Sequence, residues 1–229
     1  MKKETLRSIV RFLFRTLARL EYYNLDYLPT SGPAILATNH LSHVDTPLMF
    51  VNPRRHDATA LITDKYMNYP IVRFFTTTAG GIWIDRDRAD FAAFSAAREV
   101  LNQGMALGVA PEGTRSKNHQ LQQGKPGIVL IALRSGAPII PMGISGSEAS
   151  MVRIFTFQRP HMTVRLGKPF TIPPLDHDRR EEQLKYWTDE VMLRIAALIP
   201  EKYHGFYRGN PRIKELQAEQ IDISGPVGP

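Results

Sequence analysis

The chain has 229 residues, 43% of them hydrophobic, enough for one large domain with a buried core and too many for a disordered polymer. It has no cysteine, which excludes disulfides, cysteine-ligated zinc and thiol catalysis in one step. A formal net charge of +7 favours partners that carry phosphate: nucleic acid, anionic lipid or a phosphorylated small molecule.

Along the chain, residues 2–21 come first. Arg7, Arg11, Arg15 and Arg19 recur at every fourth position, and on a helix turning about 100° per residue they form one stripe. Leu6, Ile9, Val10, Leu13, Leu17 and Leu20 fall opposite, with Phe12 and Phe14 near the borders. The pattern suits a first helix packed on the core, or a helix lying on a membrane with its arginines at the headgroups. Solvated faces usually mix both signs of charge, so the stripe without interleaved acids favours the membrane. No apolar run reaches the roughly 18 residues of a membrane span, and no secretory signal is expected.

From about residue 30 short β-type runs alternate with helical ones. Strands are expected at 34–38, 59–63, 82–84, 107–110, 138–144 and 162–166. Thr46-Pro47 reads as a helix start, and an apolar segment runs from Tyr69-Pro70 to Gly80-Gly81. Helices are expected over 90–101, with Phe94, Ala97 and Leu101 inward and Gly104 as the stop, and over 128–134, capped by Gly136. Leu184, Trp187, Val191, Ile195 and Leu198 mark a further helix that Pro200 ends. The fold class is therefore α/β: a mixed, largely parallel sheet flanked by helices, with an N-terminal amphipathic membrane-surface helix. Residues 1–24 would be that helix, 25–205 the main domain, and 206–229 a partly disordered tail.

In such a fold the site gathers where strands end. Asn39-His40-Leu41-Ser42-His43-Val44-Asp45 follows the first expected strand. A turn between strand and helix would bring a histidine and Asp45 together. The carboxylate would then fix one imidazole tautomer and leave the other nitrogen as a base. Spacing does not choose between His40 and His43, and Asp45 could equally be a helix cap. Val109-Ala110-Pro111-Glu112-Gly113-Thr114-Arg115-Ser116 follows another strand. It combines a glycine that allows close approach, a hydroxyl, and an arginine able to grip phosphate with two bonds. Gly80-Gly81-Ile82-Trp83-Ile84-Asp85-Arg86 delivers a charged pair to a strand end, and Ile139-Ile140-Pro141 lies in a strand bracketed by prolines.

These four blocks, in this order, resemble those of the glycerolipid acyltransferase family, of the bacterial 1-acylglycerol-3-phosphate acyltransferase type. His40-x4-Asp45 is similar to its catalytic block, Gly80-x-x-Trp83-Ile84-x-Arg86 to its second, Glu112-Gly113-Thr114-Arg115-Ser116 to its third and Ile139-Ile140-Pro141 to its fourth. The resemblance covers roughly residues 25–170. It implies His40 as base and Asp45 as its orienter, with Arg86, Glu112, Gly113, Thr114 and Arg115 at the acceptor phosphate. Lys65 and, more loosely, Lys125 are implied as further phosphate contacts. The implied reaction moves a fatty acyl chain from acyl-CoA or acyl-carrier protein, as co-substrate, to the free hydroxyl of a lysolipid phosphate. No cofactor, metal or covalent acyl-enzyme is implied. The expected place is peripheral, on the cytoplasmic face of the cell membrane, against anionic lipid. Trp83 and Ala110 depart from the family's usual aromatic residues, and 146–161 has no assigned role.

Two rivals stand beside this reading. Another lysolipid or a glycolipid could be the acceptor. A basic nucleic-acid-binding protein would use the same charge surplus, but no recognised nucleic-acid module is present and none is expected as a partner. A serine lipase is disfavoured because no Gly-x-Ser-x-Gly elbow occurs.

Overall fold

The computed structural model describes residues 1–84, 89–219 and 225–229. Its strands form one seven-stranded sheet in the order β1-β7-β6-β2-β5-β3-β4. These are β1 (Arg19–Tyr23), β2 (Ala34–Thr38), β3 (Thr59–Thr63), β4 (Ile82–Ile84), β5 (Ala106–Val109), β6 (Ile139–Ser145) and β7 (His161–Leu166). Neighbours run parallel except β6 and β7. The expected mixed, mostly parallel α/β sheet is what forms.

Helices cover both faces. On one side α4 (Ala89–Asn102), α5 (Gly127–Ser135), α7 (Arg180–Ala196) and α8 (Pro211–Glu219) close a core that includes Val100, Ile128, Val191 and Ile213. On the other, α1 (Lys3–Leu17), α2 (Asp45–Phe50) and α3 (Pro70–Ala79) bury Leu6, Phe14, Leu48, Ala79 and the facing side chains of β2 and β6. Central β2 is buried on both faces, as parallel strands between helical layers must be. Gly108 in β5 lets α2 lie close, because a β-carbon there would collide with the Met49 side chain.

Two expectations at the ends are corrected. The first helix stops at Leu17. Arg19–Tyr23 is an edge strand paired in parallel with β7, Arg19 opposite His161 and Tyr23 opposite Arg165. Its burial alternates, with Leu20 and Tyr22 inward, so Arg19 does not belong to the helical stripe. Two arginines of the stripe, Arg7 and Arg11, also face inward, while Arg15 is exposed. Arg7 is 1% exposed; its guanidinium donates to the carbonyls of Phe50 (3.2 Å) and His56 (2.5 Å) and stacks on the Phe50 ring. Arg11 donates to Val51 O (3.3 Å) and Asn52 O (3.1 Å). Together the two arginines satisfy carbonyls left over where α2 ends and meet the negative end of its dipole. The helix instead leaves Ile9, Phe12 and Leu13 exposed.

The tail is the second correction. Residues 211–219 form α8, whose Ile213 and Leu216 are buried against α7. Val227 exchanges two backbone hydrogen bonds with Tyr22 (2.8 and 2.9 Å).

Candidate active site

Three segments meet at the carboxyl ends of β2, β5 and β6. β2 ends at Thr38, and the next residue clamps it to β6. The Asn39 amide donates to Ile144 O and accepts from Ile144 N, both at 2.8 Å. His40 follows on a turn that leads into α2. Its Nδ1 lies 2.9 Å from Asp45 Oδ2, and its side chain is 28% exposed whereas Asp45's is 3%. The structure thus separates the two histidines: His40 carries the pair with Asp45. At His43 burial, and then the charges of Arg115 and His40, hold the imidazole below its usual pKa.

Asp45 is not a cap for its own helix. Oδ2 also accepts from the backbone N–H groups of Leu41 and Ser42, both at 2.7 Å, which lie before it in the chain. Oδ1 accepts from Ser147 Oγ at 2.6 Å. This many donors replace the water contacts that the carboxylate gives up on burial. With Nδ1 committed to Asp45, the basic nitrogen is Nε2; this tautomer follows from the hydrogen-bond network.

The third sequence block is knit to the first. Ser116 N donates to His40 O (2.9 Å) and the His119 ring pairs with Leu41 O (3.1 Å). Glu112 is 1% exposed; Oε1 accepts from His40 N (3.2 Å), and Oε2 from Gln122 N (3.0 Å) and Nε2 (3.3 Å). Burial pushes its carboxyl above the usual glutamate range. Glu112 was expected among the phosphate contacts, yet both its oxygens are turned inward, where they hold the backbone that carries His40.

Beyond Glu112 the loop comes to the surface. Gly113 has a positive φ of 69°, and a β-carbon on it would sit 3.1 Å from Lys125 Cδ and Nζ. Lys125 therefore runs across the face of Gly113, which only its place in the fold reveals. Thr114 and Arg115 are exposed beside it, and the Arg115 charge is felt at His43. His40, Asp45, Glu112, Gly113, Thr114, Arg115 and Lys125 thus share one end of the sheet. Lys65 stands further out, on the turn after β3, exposed with its ammonium 4.7 Å over the Tyr66 ring. Arg86 lies outside the described residues, just beyond β4. No group of metal-ligating side chains occurs among the described residues. Ser147 was missed by sequence reasoning; it is 102 residues from Asp45, and no local pattern marks it.

A family model for acyltransferases matches residues 19–145, more than half of the chain and including both β1 and the His40 and Glu112 segments. The chain belongs to the acyltransferase family. This acyltransferase is 30% identical to the 1-acyl-sn-glycerol-3-phosphate acyltransferase of Cocos nucifera over 73% of its own length and 54% of that relative. It is 34% identical to the one of Limnanthes alba over 73% and 61%, and 26% identical to the one of Borreliella burgdorferi over 58% and 53%. The matched region spans little more than half the length of the Cocos and Borreliella relatives. Among solved structures, the 1-acyl-sn-glycerophosphate (LPA) acyltransferase PlsC of Thermotoga maritima superposes with a TM-score of 0.66 over 94% of this chain and 80% of that one. At 20% identity that likeness shows a shared fold.

Proposed function

We propose that this acyltransferase transfers a fatty acyl group from acyl-CoA or acyl-carrier protein to the free hydroxyl of a lysophosphatidic-acid-like acceptor, in phospholipid biosynthesis. The observation that carries the reading is the partly exposed His40, paired through Nδ1 with buried Asp45 and set beside the cationic Gly113–Arg115 loop. The acceptor hydroxyl passes its proton to Nε2 as its oxygen attacks the thioester carbonyl carbon. Asp45 stabilises the imidazolium that forms. The tetrahedral intermediate then expels the thiolate, which takes the proton back from Nε2. Ester and thiol leave, and His40 is neutral again. Backbone donors of the loop after β5 are proposed to steady the oxyanion; the Gly113 and Ser116 amides are spent on Ala110 O and His40 O.

Arg115 and Lys125 are the proposed phosphate contacts, with Lys65 further out; Arg86 is kept as a contact the family resemblance implies. Arg115→Ala is expected to raise the acceptor KM about tenfold or more with little change for the acyl donor, since a charged hydrogen bond is worth about 1.5–3 kcal/mol. Arg115→Lys should restore only part, because a point charge does not replace a two-pronged donor. The test is an acceptor screen with acyl-CoA and labelled lysolipids, run on both variants. A preference for phosphate-bearing acceptors that depends on Arg115 supports the assignment. Equal use of neutral glycolipid and lysolipid acceptors would favour the rival acceptors.

The proposed setting is peripheral, on the cytoplasmic face of a membrane. No helix among the described residues is long and apolar enough to cross one. Three exposed stretches support contact with anionic lipid. α1, which exposes Ile9, Phe12 and Leu13, packs beside α3, which exposes Ile71 and Phe74, and α6 (Ser150–Phe155) and its sequel expose Val152, Phe155 and Phe157. Arg159 joins the last stretch to the end of α1 through Arg15 O and Ala18 O. Arg15, Arg73, Arg153 and Arg159 are exposed among these residues, and 5–17, 70–79 and 149–160 hold no acid. The lipid-facing surface proposed is therefore the apolar side of α1 with α3 and α6, rather than the Arg7–Arg11 stripe. Burying one large apolar side chain is worth about 1.5–3 kcal/mol, so Ile71→Asp, Phe155→Asp and Phe157→Asp combined should reduce binding to anionic vesicles at least tenfold. Turnover of detergent-dispersed acceptor should largely survive. Undiminished co-sedimentation of the triple variant would place the contact elsewhere.

A further inference from the structure

We infer that Ser147 is a positioning residue of the catalytic pair, holding Asp45 in the orientation that serves His40; the inference rests on the His40–Asp45 reading above. Asp45 Oδ2 is already fixed by His40 Nδ1 and two backbone amides of its own turn. Its other oxygen faces β6, and there Ser147 Oγ supplies the short 2.6 Å bond, against 3.5 Å for Ser42 Oγ. Ser147 is fully buried, so no water competes for that oxygen at the same point.

The placement of Ser147 is built in three steps. Asn39, next to His40, locks β2 to β6 at Ile144 with two bonds, which sets where β6 ends relative to the catalytic turn. Gly146 then turns the chain with a φ of +79°, at a spot where a β-carbon would collide with His161 O; its N–H is held by the Tyr203 hydroxyl at 3.2 Å. Finally Ser150, also fully buried, donates both Oγ (2.7 Å) and N–H (3.2 Å) to Ser147 O and fixes the backbone that aims the hydroxyl. The same segment continues into the exposed Val152, Phe155 and Phe157. A carboxylate held at both oxygens by separate elements resists rotation about its own side-chain torsions, and a small misplacement of a catalytic group is costly in rate.

The experiment compares wild type, Ser147→Ala and Ser147→Cys. Cysteine nearly keeps the volume and loses most of the donor strength, so it reads the bond even if alanine fails to fold. Three quantities are measured: kcat and both KM values, the melting temperature, and the downfield proton resonance of the His40 Nδ1–H bond to Asp45. The expected result is a kcat lower by about tenfold to a hundredfold, the usual range for one hydrogen bond to a charged group, with both KM values unchanged. The resonance should move or broaden in both variants while the melting temperature of the cysteine variant stays near wild type. Wild-type kcat in a folded variant would overturn the inference. So would a loss of activity that tracks the folded fraction while the resonance stays in place, since that describes a merely structural serine. If wild type itself transfers no acyl group to a lysophosphatidic acid, the function proposed above fails, and the resonance still reports whether Ser147 positions Asp45.

Discussion

Asp45→Asn is expected to lower kcat about a hundredfold with little change in either KM, and Asp45→Ala to lower it further and reduce stability as well. The distinction follows from what surrounds the carboxylate. Oδ2 receives three donors, His40 Nδ1–H and the amides of Leu41 and Ser42. An asparagine placed there is driven to put its carbonyl oxygen at that position, because its NH2 would face two backbone donors. Its NH2 then meets Ser147 Oγ, which can accept instead of donate. The His40 tautomer therefore survives, and only the negative charge that stabilises the imidazolium is lost. A hydrogen bond to a charged group is worth about 1.5–3 kcal/mol, or roughly one to two decades in rate. Alanine removes the acceptor for all three donors and leaves two buried amides unsatisfied, about 1–3 kcal/mol each. Steady-state kinetics and thermal melts on both variants separate the two effects. An asparagine variant with full kcat would mean that the charge of Asp45 is not used.

Arg7→Ala is expected to destabilise the protein by about 3 kcal/mol, whereas Arg15→Ala should change stability by no more than about 0.5 kcal/mol. Both lie on the same helical stripe, so the sequence treats them alike. Arg7 is fully enclosed and satisfies Phe50 O and His56 O while its guanidinium lies 4.8 Å from the Phe50 ring centre. Removing it strands those carbonyls and opens a void beside the α2 terminus. Arg15 is exposed, and Arg159 contacts its backbone carbonyl rather than its side chain. Urea denaturation of the two variants, compared at equal slope, measures the contrast. A change below about 0.5 kcal/mol at Arg7 would contradict its role in capping α2.

The stripe illustrates where sequence reasoning succeeded and where it stopped. Four-residue spacing gave the helix, but an amphipathic pattern does not say which face meets the domain. Here the guanidinium groups find carbonyls on α2, forty or more residues away, and the apolar face is partly left outside. The same spacing carried the expected helix past its end, because Arg19 and Leu20 fit a period near four as well as a period of two. Only pairing with β7, 142 residues on, decides for a strand. A histidine–Asp45 pairing was legible, since histidine and aspartate lie five residues apart at a strand end. Which histidine pairs with Asp45 was not legible from spacing; the turn geometry decides it. Glu112 was found as a residue but not as a role. Its motif suggests a ligand contact, while its burial and its bonds to His40 N and Gln122 make it a brace. Ser147 and Lys125 were illegible or nearly so, because each reaches the site through the register of distant strands and loops.

The central claim is that His40 deprotonates a lysolipid hydroxyl for attack on an acyl thioester. The most direct test incubates purified wild type and His40→Ala with acyl-CoA and labelled 1-acylglycerol-3-phosphate dispersed in detergent, and counts labelled phosphatidic acid over a single turnover. Wild type should form it, and His40→Ala should fall by about a thousandfold or more while keeping its circular dichroism spectrum and its affinity for the acceptor. Product formation by His40→Ala at the wild-type rate would contradict the account.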